Sequence, residues 1–328
     1  MSDLIIRQNG QAGHITLNRP KALNALTWEM CLAIENALDT WRSDPAIALI
    51  MIDGAGDRAF CSGGDIAEMY AAGQRGDLDY GRRFWRDEYR LNAKIHSYPK
   101  PIVTFLHGFT MGGGVGVGCH GSHRIVCESS QIAMPECSIG LVPDVGGSLI
   151  LAKAPGACGE YLGLTGDRMD AGDAIYAGFA DHYVPQDDWE TLKAQLAETG
   201  EAVIPKHPTP ESRLQKWQPD LDAYFISGSD SDATQRFDKL SARNAPLAQA
   251  VCRKILAAVR ENPDIQTALN HEFRYTYRCV AQGDFIEGIR AAIIDRDKSP
   301  KWQPVTADQI AVMTAPLGEQ GLQWEDNT

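Results

Sequence analysis

The segment Pro101-Ile102-Val103-Thr104-Phe105-Leu106 runs through His107-Gly108-Phe109-Thr110-Met111 into Gly112-Gly113-Gly114-Val115-Gly116. A short apolar run bounded by proline and turn residues reads as a buried strand. The residues after the glycines can form a helix, so the order is strand, turn, helix start, and the first part of the chain is α/β. The first N–H groups of a helix have no intrahelical acceptor and carry the positive end of its dipole, so they can meet an anionic oxygen that glycine allows close. The same glycines would also serve to pack the helix tightly on the sheet, and the letters alone leave both readings open. Gly116-x-Gly118-x-x-Gly121 matches the dinucleotide fingerprint as well. That fingerprint places its glycines in the turn before the helix, whereas these fall mid-chain and inside the expected helix.

Outward from this segment, residues 4–8 and 14–17, joined through Asn9-Gly10, read as a strand pair, and residues 48–53 as a buried strand. Thr27 is placed to cap a helix running to Trp41, with Met30, Ile34, Leu38 and Trp41 on one stripe. A second helix is expected over residues 80–97, with Phe84, Trp85, Leu91 and Ile95 inward and Glu88 near that side. Pro205, Pro208 and Pro210 mark a connecting segment, residues 200–212. Beyond it, residues 248–260 and 266–281 have helical apolar spacing, Pro300 and Pro304 close the region, and the polar residues from Ala315 onward are expected to fray. No internal repeat is visible in the sequence.

The 328 residues suffice for a large core, and the formal net charge of −12 argues against nucleic acid or an anionic membrane as the main partner. None of the eight cysteines forms a CxxC pair, and they sit among apolar or small residues, as reduced buried thiols do. That favours a cytoplasmic protein. The amino terminus has no signal or transit pattern, and no apolar run reaches the length of a membrane span.

Two carboxylates flank an apolar stretch in Met134-Pro135-Glu136-Cys137-Ser138-Ile139-Gly140-Leu141-Val142-Pro143-Asp144. Glu136, between apolar neighbours, is carried into a poorly hydrated place, as a catalytic carboxylate or as a structural one holding backbone N–H groups. Asp144 precedes Val145-Gly146-Gly147 and an apolar segment, where a helix N-cap belongs, so capping competes with catalysis there. A second glycine cluster, Ala59-Phe60-Cys61-Ser62-Gly63-Gly64-Asp65-Ile66, reads either as a turn with a capping Asp65 or as the source of a second N–H donor. Acyl transfer needs such donors, because negative charge develops on the carbonyl oxygen. His120 and His123 fit one helical face, but with Cys119, Cys127 and Glu128 they form no familiar metal set, and no metal is expected.

With these residues in place, the chain resembles the crotonase (enoyl-CoA hydratase/isomerase) superfamily, and within it the 3-hydroxyisobutyryl-CoA hydrolase branch. Five stretches carry the resemblance: residues 15–26, ITLNRPKALNAL; residues 59–66; residues 108–116; Ala133-Met134-Pro135-Glu136 with Pro143-Asp144-Val145-Gly146-Gly147; and residues 284–290, DFIEGIR, with Ser299-Pro300-Lys301-Trp302. It implies a spiral of ββα units over residues 1–199, a connection at 200–212 and a helical region at 213–328. It implies an oxyanion hole from the Gly64 and Gly113 amides, and coenzyme A following Lys21, Ala22 and Leu23 and the Asp65-Ile66 turn, as part of the substrate and with no further cofactor. Superfamily members often form trimers or hexamers, so a homo-oligomer is possible. Hydratases of the superfamily use two glutamates; here the first position is Gly116, which argues against efficient hydration. The hydrolase branch keeps Glu136 and adds Asp144 and Glu88. The activity implied is hydrolysis of a short 3-hydroxyacyl-CoA thioester, with 3-hydroxyisobutyryl-CoA of valine catabolism first. Cys137 and Val142 depart from the branch, which has threonine and phenylalanine there.

Overall fold

The computed structural model describes residues 2–228 and 231–324. Among these, nine strands form two sheets: β1 (Leu4–Asn9), β2 (Ala12–Leu17), β3 (Leu49–Gly54), β4 (Ala59–Cys61), β5 (Ile102–Leu106), β6 (Phe109–Met111), β7 (His123–Val126), β8 (Gln131–Ala133) and β9 (His182–Tyr183). The larger sheet has the order β1-β2-β3-β5-β7-β9, parallel except for the β1–β2 hairpin, and the smaller is β4-β6-β8. The chain therefore places β3, β5 and β7 side by side in one sheet and β4, β6 and β8 side by side in the other. After each strand pair comes a helical segment: Ile66–Gln74 and Leu78–His96, then Gly113–Gly118, then the 3-10 turn Glu136–Ile139. This is the ββα spiral of the crotonase fold, a structural repeat with no trace in the letters.

The central strands β2, β3 and β5 of the larger sheet form because their residues are buried on both faces, as a parallel sheet requires. Alternate residues Leu49 and Met51, Val103 and Phe105, and Ile125 and Cys127 make one core with Trp189, Leu192 and Leu196 of the helix Trp189–Thr199. The helix Trp28–Arg42 begins where expected, the Thr27 hydroxyl accepting from Met30 N–H, and buries Met30, Ile34, Leu38 and Trp41. Phe84, Trp85, Leu91 and Ile95 of the helix Leu78–His96 are buried too.

The chain falls into two compact units, one built from residues up to 64, 91–133 and 168–216, the other from 65–90, 134–167 and 217 onward. They interleave in sequence, so neither coincides with the segments 1–199 and 213–328. All nine strands belong to the first unit. The carboxy-terminal residues of the second are helical: Asp232–Ser241, Pro246–Glu261, Ile265–Gln282, Phe285–Ile289 and Ala307–Thr314. The expectation of fraying from Ala315 is corrected as far as residue 324. Arg278 donates to the Ala315 carbonyl at 2.9 Å, and Trp324 Nε1 donates to Asn270 Oδ1 at 3.3 Å, so this segment docks on the helix Ile265–Gln282. Among the described residues no helix is long and apolar enough to cross a membrane.

Candidate active site

In the first unit, β4 and β6 are parallel neighbours, with Ala59 opposite Phe109 and Cys61 opposite Thr110. The two glycine segments that leave their carboxyl ends are therefore brought together. Gly63 (φ +117°) and Gly112 (φ +48°) adopt backbone conformations that side chains strain. A Cβ on Gly63 would stand 3.4 Å from the Met111 carbonyl oxygen, and one on Gly114 would stand 2.4 Å from the Cys61 oxygen. At Gly114 only glycine permits this approach. Gly113 opens the helix Gly113–Gly118, where its N–H has no intrahelical acceptor. Of the fingerprint glycines, Gly116 and Gly118 lie in this helix and Gly121 beyond it.

A third segment of the same unit locks onto this turn. Lys21 and Ala22 lie in a 3-10 turn followed by left-handed Leu23 and Asn24. Ser62 N–H donates to Leu23 O at 3.0 Å, and Leu26 N–H to Gly63 O at 2.9 Å. Asn24 is wholly buried. Its side chain accepts from Arg19 N–H and donates to the carbonyls of Ala55 and Ala59. This organiser was missed in the sequence, although an asparagine among turn residues, tolerant of the left-handed region and able to bond nearby backbone, is a readable signal. Asp65 occupies the N-cap position of the helix Ile66–Gln74, but its side chain makes no capping bond there.

In the second unit four buried carboxyl groups cluster: Glu88, Glu136, Asp144 and Glu272. Burial raises the proton affinity of each, and Asp144 adds to this in the other three. Asp144 is pushed up to about 7 by burial, against the opposing effect of its hydrogen bond from Tyr89. Glu272 is pushed up to about 8, again chiefly by burial. Tyr89 Oη donates to Asp144 Oδ2 at 2.7 Å. Among the described residues Glu88 Oε1 and Glu136 Oε2 are buried with no hydrogen-bond partner, a costly state for an acceptor unless something arrives to fill it. Glu136 opens the 3-10 turn Glu136–Ile139, closed by left-handed Gly140, whose carbonyl accepts from Tyr275 Oη at 2.9 Å.

The capping expectation for Asp144 is corrected. The helix Gly147–Lys153 has Gly146 at its N-cap, and the capping acceptor is Glu272 from the helix Ile265–Gln282. Glu272 accepts from Gly146 N–H at 2.8 Å, from Ser148 N–H at 3.1 Å and from the Ser148 hydroxyl. Sequence reading missed Glu272; its only signal was a carboxylate on the apolar stripe between Leu269 and Thr276. His120 and His123 share no helix, since His123 lies in β7 and His120 in the turn after the helix Gly113–Gly118. Among the described residues no group of three His, Cys, Asp or Glu side chains could hold a metal ion. All eight cysteines are buried, and none is in a disulfide.

Residues 12–315 match the family described as enoyl-CoA hydratase/isomerase. The chain belongs to the enoyl-CoA hydratase/isomerase family. Similar curated members include the mitochondrial 3-hydroxyisobutyryl-CoA hydrolases of Danio rerio, 37% identical over 93% of this chain and 86% of that protein, and of Homo sapiens, 34% identical over 94% and 86%. A solved enoyl-CoA hydratase of this family from Rhodobacter sphaeroides 2.4.1 is 50% identical, with a TM-score of 0.96 over 98% of this chain and 100% of that one. A carnitinyl-CoA dehydratase from Mycobacterium thermoresistibile is 35% identical, with a TM-score of 0.89 and full coverage of both chains. The resemblance to the crotonase superfamily and its hydrolase branch, and the fold it implied, thus hold.

Proposed function

We propose that the chain hydrolyses a short 3-hydroxyacyl-CoA thioester to the free hydroxy acid and coenzyme A, with 3-hydroxyisobutyryl-CoA, as in valine breakdown, the leading substrate. The observation that carries this reading is the buried carboxyl cluster, in which Glu136 and Glu88 each keep an unpartnered oxygen. The hydrolase names of the curated relatives support it. So does Gly116, which leaves a buried helix position without the second glutamate that hydration uses.

In this reading the Gly64 and Gly113 N–H groups hold the thioester oxygen as charge develops on it. The Glu136 carboxylate attacks the carbonyl carbon; a C–O bond forms, the C–S bond breaks, and the thiolate leaves and takes up a proton. Water then opens the mixed anhydride, giving the acid and restoring Glu136. Glu88 and Asp144 recognise the 3-hydroxyl, and Lys21, Ala22, Leu23, Asp65 and Ile66 line the coenzyme A. A carboxyl group with raised proton affinity can donate as well as accept a hydrogen bond, which suits a hydroxyl partner. No cofactor beyond the substrate's own coenzyme A enters the scheme, and cysteines outside any disulfide suit a cytoplasmic setting.

The enoyl-CoA hydratase reading is kept for one observation, the hydratase name of the 50% identical structure. Thiol release from 3-hydroxyisobutyryl-CoA, measured beside loss of the crotonyl-CoA double bond, decides between them. The hydrolase reading expects thiol release to dominate; faster hydration overturns it. Trapping by hydroxylamine at Glu136 in a rapid quench then tests direct attack against general-base catalysis.

A further inference from the structure

The helix Gly147–Lys153 starts at a glycine that has no side chain with which to cap it. Aspartate commonly solves this by accepting from the N–H two residues on, and for Asp144 that N–H belongs to Gly146. Glu272 takes it instead at 2.8 Å, together with the Ser148 N–H and hydroxyl. The turn between them is set by left-handed Val145 (φ 54°) and Gly146 (φ 77°), and Val145 adopts that region at a cost. With the helix end already served, the Asp144 carboxylate lies in the hydrogen bond from Tyr89.

Glu272 is wholly buried, beside another acidic group, so it gains its three donors against desolvation and like-charge repulsion. Buried charge is weak evidence for stability, since well-packed apolar groups often serve as well. We propose that Glu272 is a positioning residue: by capping the helix Gly147–Lys153 from another helix, it keeps the Asp144 carboxylate off that helix end and on Tyr89. This rests on the proposed function, in which Asp144 takes part in turnover. Glu272 touches no reacting atom; its effect passes through Asp144.

A double-mutant cycle on full-length protein tests it, run on whichever acyl-CoA turnover the wild type shows, hydrolysis or hydration. Glu272→Gln is expected to lower kcat about 10- to 100-fold, as a displaced catalytic group does, with KM changed less than about twofold. In the Asp144→Asn background the same substitution is expected to cost less than about twofold, because the group it positions is already altered. An equal loss in both backgrounds, or an unchanged kcat in folded Glu272→Gln, overturns the proposal. Glu272→Asp, which keeps the carboxylate but shortens its reach to the Gly146 N–H, is the milder variant if Glu272→Gln does not fold; it should lower kcat in the wild-type background only. The crystal structure of either variant is independent of the reaction. Asp144 turned from Tyr89 to the Gly146 N–H supports the proposal, and Asp144 unmoved in Glu272→Gln overturns it. A wild type that hydrates but does not hydrolyse defeats the hydrolase reading while leaving the cycle and the structures to judge Glu272.

Discussion

Asp53 and Asp144 are both buried aspartates, and the fold provisions them in opposite ways. Asp53, in β3, has Lys193 Nζ at 2.8 Å and His14 Nε2 at 3.0 Å. Burial alone would raise its proton affinity, but His14 and Lys193 more than reverse that, and its carboxyl stays far below the usual range. Asp144 has only neutral donors, the Tyr89 hydroxyl and its own backbone N–H, which cannot offset burial, and it is pushed up to about 7. A cation beside a buried carboxylate fixes its charge and makes it a structural link, here between a strand and the helix Trp189–Thr199. A neutral donor leaves it able to gain or lose a proton near neutrality, as acid–base and hydroxyl-recognition roles require.

The largest expected effect lies in the unpaired cluster. Glu136→Gln should lower thiol release roughly 1,000- to 10,000-fold without lowering the melting temperature; residual activity within tenfold of wild type would remove Glu136 from the mechanism. Asp53→Ala should do the reverse. It removes the buried partner of Lys193 and leaves that ammonium only the exposed Glu190 at 3.0 Å, so urea unfolding should show a loss of about 3 kcal/mol, with turnover of the folded variant within about twofold. A large fall in turnover at unchanged stability would erase the distinction between the two aspartates.

Asp144→Asn sharpens the comparison through pH. The folded state raises the Asp144 pKa from 3.8 to about 7, so it binds the proton more tightly than the unfolded chain does. Its contribution is fully favourable below pH 4 and is lost as pH rises toward 7. Asparagine carries no such loss. The stability of Asp144→Asn relative to wild type should therefore climb between pH 4 and pH 8, by about 4 kcal/mol. A flat difference across that range would mean that Asp144 is not held in a proton-favouring site. The smallest effect is expected outside both regions, at the exposed Lys216–Glu211 pair, 2.5 Å apart. Lys216→Ala should leave the melting midpoint within error, since exposed pairs are screened by water and salt.

Local physics made much of this molecule readable. Strand periodicity placed β3 and β5, helical stripes placed Trp28–Arg42 and the buried side of Leu78–His96, and the capping chemistry of Thr27 placed a helix start within a residue. Gly63 and Gly112 were legible as turn residues because only glycine accepts such φ values cheaply. The apolar neighbours of Glu136 correctly announced a buried carboxylate. What the letters could not carry is the choice of partner across long separations. Asp144 looked like a cap because its neighbours are those of a cap, yet the cap is Glu272, 126 residues from the Gly146 it serves. Tyr89, the donor to Asp144, lies 55 residues away. The sequence by itself determined where backbone turns, strands and apolar faces fall, because those depend on each residue and its near neighbours. Only the tertiary structure decided which carboxyl group is served by a cation, which by backbone N–H groups and which by a neutral hydroxyl, because hydrogen bonding and proton affinity depend on groups that folding gathers from distant parts of the chain.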